Sequence, residues 1–397
     1  MLRVALKMLT GNRAKYAGLL FGITFTSFLV TFALSYFAGF MTRGFALISE
    51  NPEADVWVMD PAVNSTEHTT NIPSSVLAQV RSIKGVQSAV PLALGSAEVR
   101  FPNGEFQTFQ VIGVDGPTLA GLPPLRDGVA RSVLRTPDAA VVDAGGTEGK
   151  LQTPLLRADQ WPRHPKLNVP TRRLRAGDVV LVNDHRVRIA GLARALPRYP
   201  PMPLLYTTYA NAGRILLPER HLMTFVLAKA APGVDPAVLA KQITARTGLR
   251  ARTADQFSAD TVRWFFINSE DVGDIASMIS IAMLVGFGVT GVMLYMFTEE
   301  NLKQYAVLKA MGATPRLLLT MILAQAGLCA LLGTGLGLGL CAIVGQIAAV
   351  EANYPFRMMW FTPLFGGTMV VLVSLVAAAV SARPVFKVHP GVVFAGR

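Results

Sequence analysis

The chain has 397 residues, 51% of them hydrophobic, and a formal net charge of +12. Its mean hydropathy of +0.41 is above that of ordinary soluble domains and excludes a single soluble globule. The basic residues do not form one continuous basic region but cluster in short segments beside apolar runs, which argues against nucleic-acid binding.

Four stretches lack charged side chains for long enough to cross a hydrocarbon core of about 30 Å, at 17–40, 275–297, 317–350 and 361–382. Basic residues precede the first stretch, as they do in a secretory signal. The apolar core of a signal is shorter, at roughly 7–15 residues, and no small-residue cleavage site follows this stretch. We therefore expect a retained transmembrane helix here.

The sequence between the first two stretches is mixed in composition and long enough to bury a core of its own. We expect a membrane protein with four transmembrane α-helices and a large α+β extracytoplasmic domain, carrying a β-rich insert, between helices 1 and 2. The expected boundaries are a cytoplasmic tail at 1–15, transmembrane helix 1 at 16–40, the extracytoplasmic domain at 41–273 (41–115 and 216–273 α+β, 116–215 the β-rich insert), transmembrane helix 2 at 274–298, a cytoplasmic helix and turn at 299–316, transmembrane helix 3 at 317–350, an extracytoplasmic loop at 351–360, transmembrane helix 4 at 361–382 and a cytoplasmic tail at 383–397.

The charges predict this orientation. The first tail, the 299–316 segment and the last tail together carry ten basic and two acidic residues. Short loops rich in Lys and Arg mark the cytoplasmic side, whereas long translocated domains are weakly constrained. We therefore expect both termini in the cytoplasm and the large domain on the opposite side of the membrane.

Turn and cap residues divide the extramembrane sequence into strands and helices. DVWVMD predicts a strand at 55–60, and a helix is predicted within 72–92, with Gly85 as its stop. Asn103-Gly104 between two alternating runs is a strong hairpin signal. The same order returns later, with a strand from Met223 to Ala228, a helix from about Pro236 to Thr247 and a short strand before Thr253.

The middle of this domain is rich in Pro, Gly and Arg and predicts short strands. AAVVD at 139–143 is one of them, and Asn183-Asp184 predicts a tight turn between two more. We expect a split α+β subdomain around an all-β insert.

No motif in the chain predicts catalysis, a bound cofactor or a metal site. GGTEGKL at 145–151 lacks the spacing and the hydroxyl of a phosphate-binding loop. The histidines stand singly, without metal-ligand spacing, and the Glu67-His68 pair lies in a polar segment. They are best interpreted as surface residues: His68, His164, His185, His221 and His389.

The predicted spans contain no Asp, Glu, Lys, Arg or His. Carriers that are driven by protons or ions usually place ionisable groups at membrane depth, so this class is disfavoured. The third span contains Gly333, Gly335, Gly337 and Gly339, which form two overlapping GxxxG spacings and predict a close helix-packing face. Helix 2, helix 4 or a second copy of the chain could be the partner.

The segment between helices 2 and 3 reads EENLKQYAVLKAMGATPRLL. Leu302, Tyr305, Ala306 and Lys309 fall at i, i+3, i+4 and i+7, and the other side is also apolar. Two interpretations remain open on these residues alone: a short amphipathic helix at the inner membrane surface, or a simple charged connection.

Two signals mark the end of this segment. Gly312 is a natural helix stop, and Thr314 followed by Pro315 predicts an N-cap and the first turn of a new helix.

This segment resembles the corresponding loop of the FtsX/MacB-type permease subunits of ABC transporters. That loop has the form R-x-x-E-[IV]-G-[VI]-[LM]-[RK]-A-[LIM]-G-A, and NLKQYAVLKAMGATPR at 301–316 follows it most closely over 307–313. Gln304, Tyr305 and Ala306 stand where the family has Glu, Ile or Val, and Gly. The aromatic residue before LKAMG is most similar to DevC-like permeases, and the ending RPVFKVHPGVVF also resembles the family.

The resemblance implies a non-catalytic permease subunit with a split porter-like extracytoplasmic domain, working by mechanotransmission. ATP would be bound by a separate cytoplasmic ABC ATPase subunit, so no cofactor is expected in this chain. The implied further partners are a second permease copy or paralogue, a periplasmic membrane-fusion adaptor and membrane lipids; no nucleic acid is expected. The substrate would be a lipid, a lipoprotein or an amphipathic compound, for export or extraction. The implied ATPase-coupling residues are Glu300, Leu302, Lys303, Tyr305, Leu308, Lys309 and Gly312.

Other functions remain open at this stage. The same ATPase-coupled mechanism could regulate a cell-wall hydrolase without transport. A receptor that is unrelated to any ATPase, or a membrane-bound enzyme, would fit the layout but has no motif in its favour.

Overall fold

A computed structural model describes residues 13–143, 151–198, 202–216, 223–351 and 354–387. The chain forms two compact units: a sheet unit, Met41–Asn268, and a membrane unit, Met1–Phe40 with Ser269–Arg397. Most of the predicted tail at 1–15, nearly all of GGTEGKL, His221, His389 and the end of the C-terminal motif lie outside the described residues.

The four predicted spans lie in four long helices. Each is apolar and long enough to cross a membrane: Tyr16–Gly44, Glu270–Glu300, Pro315–Glu351 and Phe361–Val385. The helices in chain order are α1 (Arg13–Gly44), α2 (Ala46–Ser49), α3 (Ser75–Arg81), α4 (Tyr209–Ile215), α5 (Pro236–Thr247), α6 (Ala254–Asn268), α7 (Glu270–Glu300), α8 (Leu302–Ala310), α9 (Pro315–Glu351), α10 (Phe361–Ser381) and α11 (Arg383–Lys387).

The sheet unit is built on a nine-stranded sheet with the order β11-β1-β10-β2-β3-β9-β4-β8-β7, beside a two-stranded sheet of β5 and β6. The strands are β1 (Val56–Met59), β2 (Val86–Arg100), β3 (Phe106–Val114), β4 (Ala139–Asp143), β5 (Gln152–Pro154), β6 (Thr171–Arg173), β7 (Val179–Val182), β8 (His185–Ala193), β9 (Leu204–Thr208), β10 (Phe225–Ala230) and β11 (Arg250–Thr253).

Both predicted strand-helix-strand units are present, as β1-α3-β2 and β10-α5-β11. The Asp235 side chain caps α5 by accepting a hydrogen bond from the Ala237 amide at 2.9 Å, Pro236 occupies the first turn, and Gly248 ends the helix at φ +69°. The apolar faces of α3 and α5 bury residues such as Val80 and Leu239 in one core. The capping residues and the apolar spacing of α5 therefore indicate the same helix, and it begins and ends at the predicted residues, Pro236 and Thr247.

Four strands of the predicted insert, β4, β7, β8 and β9, belong to the nine-stranded sheet, whereas β5 and β6 pair with each other apart from it. β3 pairs with β9 in parallel, and β4, β8 and β7 continue the same sheet beyond it. The 15-residue strand β2 pairs with β10 at one end and with β3 and β7 at the other, so one strand serves both parts. The insert is also not wholly β, because the Thr208 hydroxyl caps the short helix α4 by accepting from the Asn211 amide.

The two predicted turns are confirmed. β2 and β3 are joined through Asn103 and Gly104, with Gly104 at φ +88°. β7 and β8 are joined through Asn183 and Asp184, at φ +46° and +65°. Positive φ at both central residues matches the right-handed twist of the flanking strands, and Asn and Asp tolerate that conformation better than most side chains do.

The membrane unit is held together by a continuous apolar core. Residues from all four long helices contribute buried side chains, among them Ile23, Leu294, Ala326 and Ala378. The short helix α8 adds Tyr305 to the same cluster. Since lipid tails are as apolar as these side chains, close packing rather than water exclusion must hold such helices together.

The partner of the glycine face is α1, which differs from the three candidates that the sequence left open. A Cβ on Gly333 would lie 2.7 Å from a methyl of Ile23, and a Cβ on Gly337 would lie 2.6 Å from both the Ser27 Cβ and the Thr24 carbonyl oxygen. The Ser27 hydroxyl also donates to the backbone oxygen of Thr334 at 3.3 Å.

The second GxxxG spacing, Gly335 and Gly339, lies on a different side of α9 from Gly333 and Gly337. Gly335 and Gly339 lie on the exposed side of α9, with nothing within 4 Å of an added Cβ among the described residues. Only one of the two spacings is therefore used for packing in this part of the chain.

Gly337→Leu should destabilise the membrane unit, whereas Gly339→Leu should not. The first side chain would enter the contact with Ser27 and Thr24, and overpacking of this kind costs roughly 1–3 kcal/mol. The second would point away from the described residues. Thermal unfolding of the full chain in detergent measures both, and equal melting temperatures for the two variants would contradict this account of the packing.

Candidate functional site

The helix α8 joins α7 to α9 and begins after a break in the helical backbone. Asn301 leaves helical geometry at φ −88° and ψ 6°, and its side-chain amide donates to the Phe297 carbonyl at 2.7 Å. Its own carbonyl accepts from the Tyr305 amide at 3.0 Å. The helix α7 therefore ends at Glu300, and α8 starts as a separate helix at Leu302.

One side of α8 is fixed to the membrane unit. Tyr305 and Ala306 are each 1% exposed, and Leu302 and Leu308 pack against the same core. The Tyr305 hydroxyl donates to the Gln325 Oε1 at 3.1 Å, and Gln325 is itself buried on α9. Burial raises the pKa of Tyr305 to about 12, so the phenol keeps its proton and remains a donor near neutral pH.

The other side of α8 is exposed and mixes charge with apolar surface. Val307 is 40% exposed and Met311, just after the helix, is 70% exposed. Lys303, Gln304 and Ala310 are exposed beside them. A face with two large apolar side chains, a cation and an amide has the composition of a protein-binding surface.

A Schellman turn ends α8 and positions α9. Gly312 has φ +98°, its amide donates to the Lys309 carbonyl at 3.1 Å, and the Ala313 amide donates to the Leu308 carbonyl at 2.9 Å. These are the two reverse hydrogen bonds that satisfy the last carbonyls of a helix. The Thr314 hydroxyl then accepts from the Leu317 amide at 3.4 Å as α9 begins at its proline. The predicted stop and restart are confirmed.

The seven residues predicted for ATPase coupling fall into three groups. Tyr305 is buried, so it can act only through the side chains that it touches. Leu302, Leu308 and Lys309 are partly buried, and Glu300, Lys303 and Gly312 are exposed.

The sequence analysis missed Val307 and Met311, because both sides of the helix are apolar and the 3.6-residue period does not tell which side is inward. It also missed Gln325, an uncharged side chain in an apolar run. The signal that could have found it is the requirement that a buried amide has a partner.

A second polar cluster lies inside the sheet unit, and sequence reasoning missed it entirely. Glu50, just after α2, accepts hydrogen bonds from Arg198 Nη2 at 2.6 Å, from the Tyr206 hydroxyl at 2.9 Å and from the Leu196 amide at 2.5 Å. The side chains of Glu50 and Arg198 are each 5% exposed. This Glu50 cluster ties the segment that follows α1 to β9 and to the loop before it.

The contacts in the Glu50 cluster partly offset the free-energy cost of burying the Glu50 carboxylate. Burial raises the pKa of Glu50, while the charge of Arg198 and hydrogen bonds from the Leu196 amide and the Tyr206 hydroxyl lower it in part. Breaking a buried ion pair by removing one partner is strongly destabilising, because the other charge is then left uncompensated. The cluster therefore favours a fixed geometry at the point where the chain leaves α1.

Glu67 is a further carboxylate near Arg198. Burial raises its pKa from 4.5 to about 7, and the charge of Arg198 opposes that rise only in part. Together with Ser96, Gln110 and Trp264, it lines a polar cavity of about 380 Å³. The sequence analysis treated Glu67 as a surface residue, but the structure places it partly inside the sheet unit.

Within the described ranges, no group of three or more His, Cys, Asp or Glu side chains is placed to hold a metal ion.

Residues 276–390 match the family model of the FtsX-like permease C-terminal domain. The periplasmic region of MacB from Actinobacillus actinomycetemcomitans is 14% identical, with 55% of this chain and 94% of that chain covered and a TM-score of 0.35. The extracellular domain of the noncanonic ABC-type transporter YknZ from Gram-positive bacteria is 10% identical, with 50% and 98% covered and a TM-score of 0.32. No curated protein matches the sequence.

Four helices are apolar and long enough to cross a membrane, and residues 276–390 are similar to the FtsX-like permease C-terminal domain. The matched region includes most of α7 together with α8, α9, α10 and α11.

Glu67→Gln should flatten the pH dependence of stability. Since the folded-state pKa is about 7 and the ordinary value is 4.5, the native state holds more protons than the unfolded state between these values. Glu67 therefore contributes stability that is fully present below pH 4.5 and is lost as the pH rises through its folded-state pKa of about 7. Because Glu67 is partly exposed, we expect the free energy of unfolding to fall by only about 1–2 kcal/mol more in the unsubstituted chain than in Glu67→Gln over this pH range.

The measurement is thermal unfolding of the full chain in detergent across this pH range. Glu98→Gln, at an exposed position of β2, is the matched control and should keep the profile of the unsubstituted protein. Superimposable profiles for Glu67→Gln and the unsubstituted chain would show that Glu67 does not titrate as described.

Proposed function

We propose that this chain is the transmembrane subunit of an ABC transporter whose partner ATPase binds the exposed side of α8. ATP binding and hydrolysis in that partner would move α8, and the movement would reach the sheet unit through the long helices. The purpose would be export or extraction of a lipid, a lipoprotein or an amphipathic compound. The single observation that carries the proposal is α8 itself, which is anchored on one side and presents Val307 and Met311 on the other.

The anchored side of α8 supplies the path for a force. The hydrogen bond between Tyr305 and Gln325 joins α8 to the body of α9, and the Schellman turn makes the connection between them short and well defined. The side chain of Asn301 joins the start of α8 to the last turn of α7. A displacement of α8 would therefore be resisted by packed, hydrogen-bonded contacts and would be passed on to both neighbouring helices.

The chain connectivity supports transmission beyond the membrane. The sheet unit is linked covalently to the membrane unit at two places, after α1 and before α7. Any movement that reaches the sheet unit through the chain must use these two connections. The Glu50 cluster lies in the sheet unit a few residues beyond the first of them, and just after the second the Ser269 hydroxyl donates to the Asp271 carboxylate at 3.0 Å.

The source of energy and the orientation follow from the charges. The apolar stretches 17–40, 275–297, 317–350 and 361–382 carry no Asp, Glu, Lys, Arg or His, which supports an external energy source over ion coupling. The basic segments support cytoplasmic termini and a cytoplasmic α8 in the bacterial inner membrane, with the sheet unit on the opposite side. A second permease copy or paralogue and a periplasmic adaptor are further partners of the proposed assembly.

Replacing Val307 and Met311 together by Asp should release the ATPase. Two carboxylates in the centre of a protein interface would be buried without partners, so we expect at least about a tenfold loss of bound ATPase. The measurement is the amount of ABC ATPase, and of ATP hydrolysis, that copurifies with the tagged full chain from its native membranes.

Val238→Asp is the control, because Val238 is similarly exposed at 49% but lies on α5 of the sheet unit. The proposal is wrong if the unsubstituted chain brings down no ABC ATPase, or if the double variant retains as much of it as the control does.

The orientation can be tested with single cysteines. Cys329 and Cys341 are both buried, so an added thiol can be labelled selectively. Val238→Cys should react with a membrane-impermeant maleimide in cells whose outer barrier is opened but whose inner membrane is intact. Met311→Cys should react only after the inner membrane is permeabilised. The reverse order of labelling would contradict the proposed topology.

A further inference from the structure

A groove in the sheet unit combines apolar walls with cations that have no ion-pair partner. Its volume is about 600 Å³, and the segment 49–54, just after α2, forms one side of it. This volume falls in the range of about 300–1,000 Å³ that is typical of small-molecule sites. The groove is separate from the 380 Å³ cavity beside Glu67, with which it shares no lining residue.

Apolar side chains form part of the wall of the groove, among polar residues such as Ser88 and Thr118. Val90 on β2 and Leu227 on β10 come from adjacent strands, and Leu196 lies in the loop after β8. The side chain of Leu196 is 44% exposed, so it presents apolar surface to a ligand in the groove. Such a surface favours a hydrocarbon chain over a purely polar ligand.

Two cations stand beside these walls. Arg194 and Lys229 both line the groove and are exposed, and neither forms an ion pair with another described residue. The remaining basic group, Arg131, is already engaged, since its Nη2 donates to the Leu119 and Leu122 carbonyls at 2.8 and 2.7 Å.

The acidic groups of the groove limit the charge of its ligand. The carboxylate of Glu50 is already bound to Arg198 within the Glu50 cluster. Glu53, which is exposed and forms no ion pair with another described residue, is therefore the other carboxylate that a ligand in the groove would meet. Arg131 keeps its charge, because the carbonyls that it contacts are neutral, so Arg131, Arg194 and Lys229 with Glu53 leave a net charge of +2. This positive lining favours an anion, and Glu53 disfavours a second negative charge close to it.

We propose that this groove binds an anionic lipid, with its phosphodiester on Arg194 and Lys229 and its acyl chain along Val90, Leu196 and Leu227. The inference rests on the proposed function, because it gives the substrate class and the place where the substrate is held. Arg and Lys are both effective phosphate ligands, and Arg can bind two phosphate oxygens at once.

The position of the groove connects lipid binding to the membrane helices. Ser49 and Glu50 line the groove, and Ser49 is five residues beyond the end of α1, at most about 18 Å away along the chain. A ligand in the groove therefore contacts the segment that the Glu50 cluster holds. Binding that shifts this segment would alter the connection to α1, and movement of α1 would reciprocally change the affinity for the lipid.

Photolabelling tests the site directly. The full chain in nanodiscs is incubated with lysophosphatidylglycerol that carries a photoreactive group on its acyl chain, and labelled peptides are mapped. We expect labels on peptides containing Val90, Leu196 or Leu227. The joint substitution Arg194→Ala and Lys229→Ala should reduce this labelling by about tenfold, because it removes both charged partners of the phosphate.

Two further variants make the result specific. Arg188→Ala with Lys241→Ala removes one Arg and one Lys from exposed positions of the same unit outside the groove, and it should leave the labelling unchanged. Leu196→Trp fills the groove while keeping the cations, and it should block the labelling. The matching lysophosphatidylcholine probe should label the groove far less than lysophosphatidylglycerol does.

Equal labelling by the two lipids, an unchanged yield in the Arg194 and Lys229 variant, or labels confined to other peptides would overturn the proposal. The experiment needs no ATPase. If the ABC ATPase copurifies with the chain but the groove is not labelled, the lipid site alone is wrong. If the groove is labelled but no ATPase is found, the transporter proposal is the one that fails.

Discussion

The structure depends first on the inability of hydrocarbon to form hydrogen bonds with a peptide backbone. Each segment that crosses a bilayer must satisfy its own amides and carbonyls, and this requirement makes the four apolar stretches helices. The same environment disfavours charged side chains, and the four predicted spans contain no Asp, Glu, Lys, Arg or His.

The polar groups that remain are placed where helices meet connections. Tyr305 and Gln325 join the short helix α8 to the membrane unit, and Ser27 bonds to the backbone of α9 beside the packed glycines. In the sheet unit, Glu50 and Arg198 hold the segment that follows α1. In a low-dielectric interior these hydrogen bonds and this ion pair favour one geometry, because breaking one of them would leave a donor or a charge without that partner.

Local sequence determined the turns and caps well. Positive φ angles occur at residue types that tolerate them, at Asn183, Asp184, Gly248 and Gly312. Asp235 and Thr314 each cap the helix that follows. These features depend on residues within about four positions of each other, so a linear pattern contains all the information that they need.

Strand partnership was harder to predict. The sequence separated a β-rich insert from its flanks, yet β3 pairs with β9, some ninety residues away, and merges both parts into one sheet. Hydrophobic periodicity states that a strand has a buried face but not which strand lies beside it. The Glu50 cluster escaped prediction for the same reason, because Arg198 and Tyr206 are about 150 residues from Glu50 along the chain.

The sequence by itself determined the four spans, their basic flanks, the short helix between the second and third spans, and the resemblance of that helix to a permease loop. Composition and short-range spacing are sufficient for these features. Only the tertiary structure decided which glycines touch α1, which side of α8 is exposed, and where Arg194 and Lys229 meet an apolar groove. The physical reason is that packing, burial and charge pairing are properties of residues brought together from distant parts of the chain, and local propensity carries no record of those neighbours.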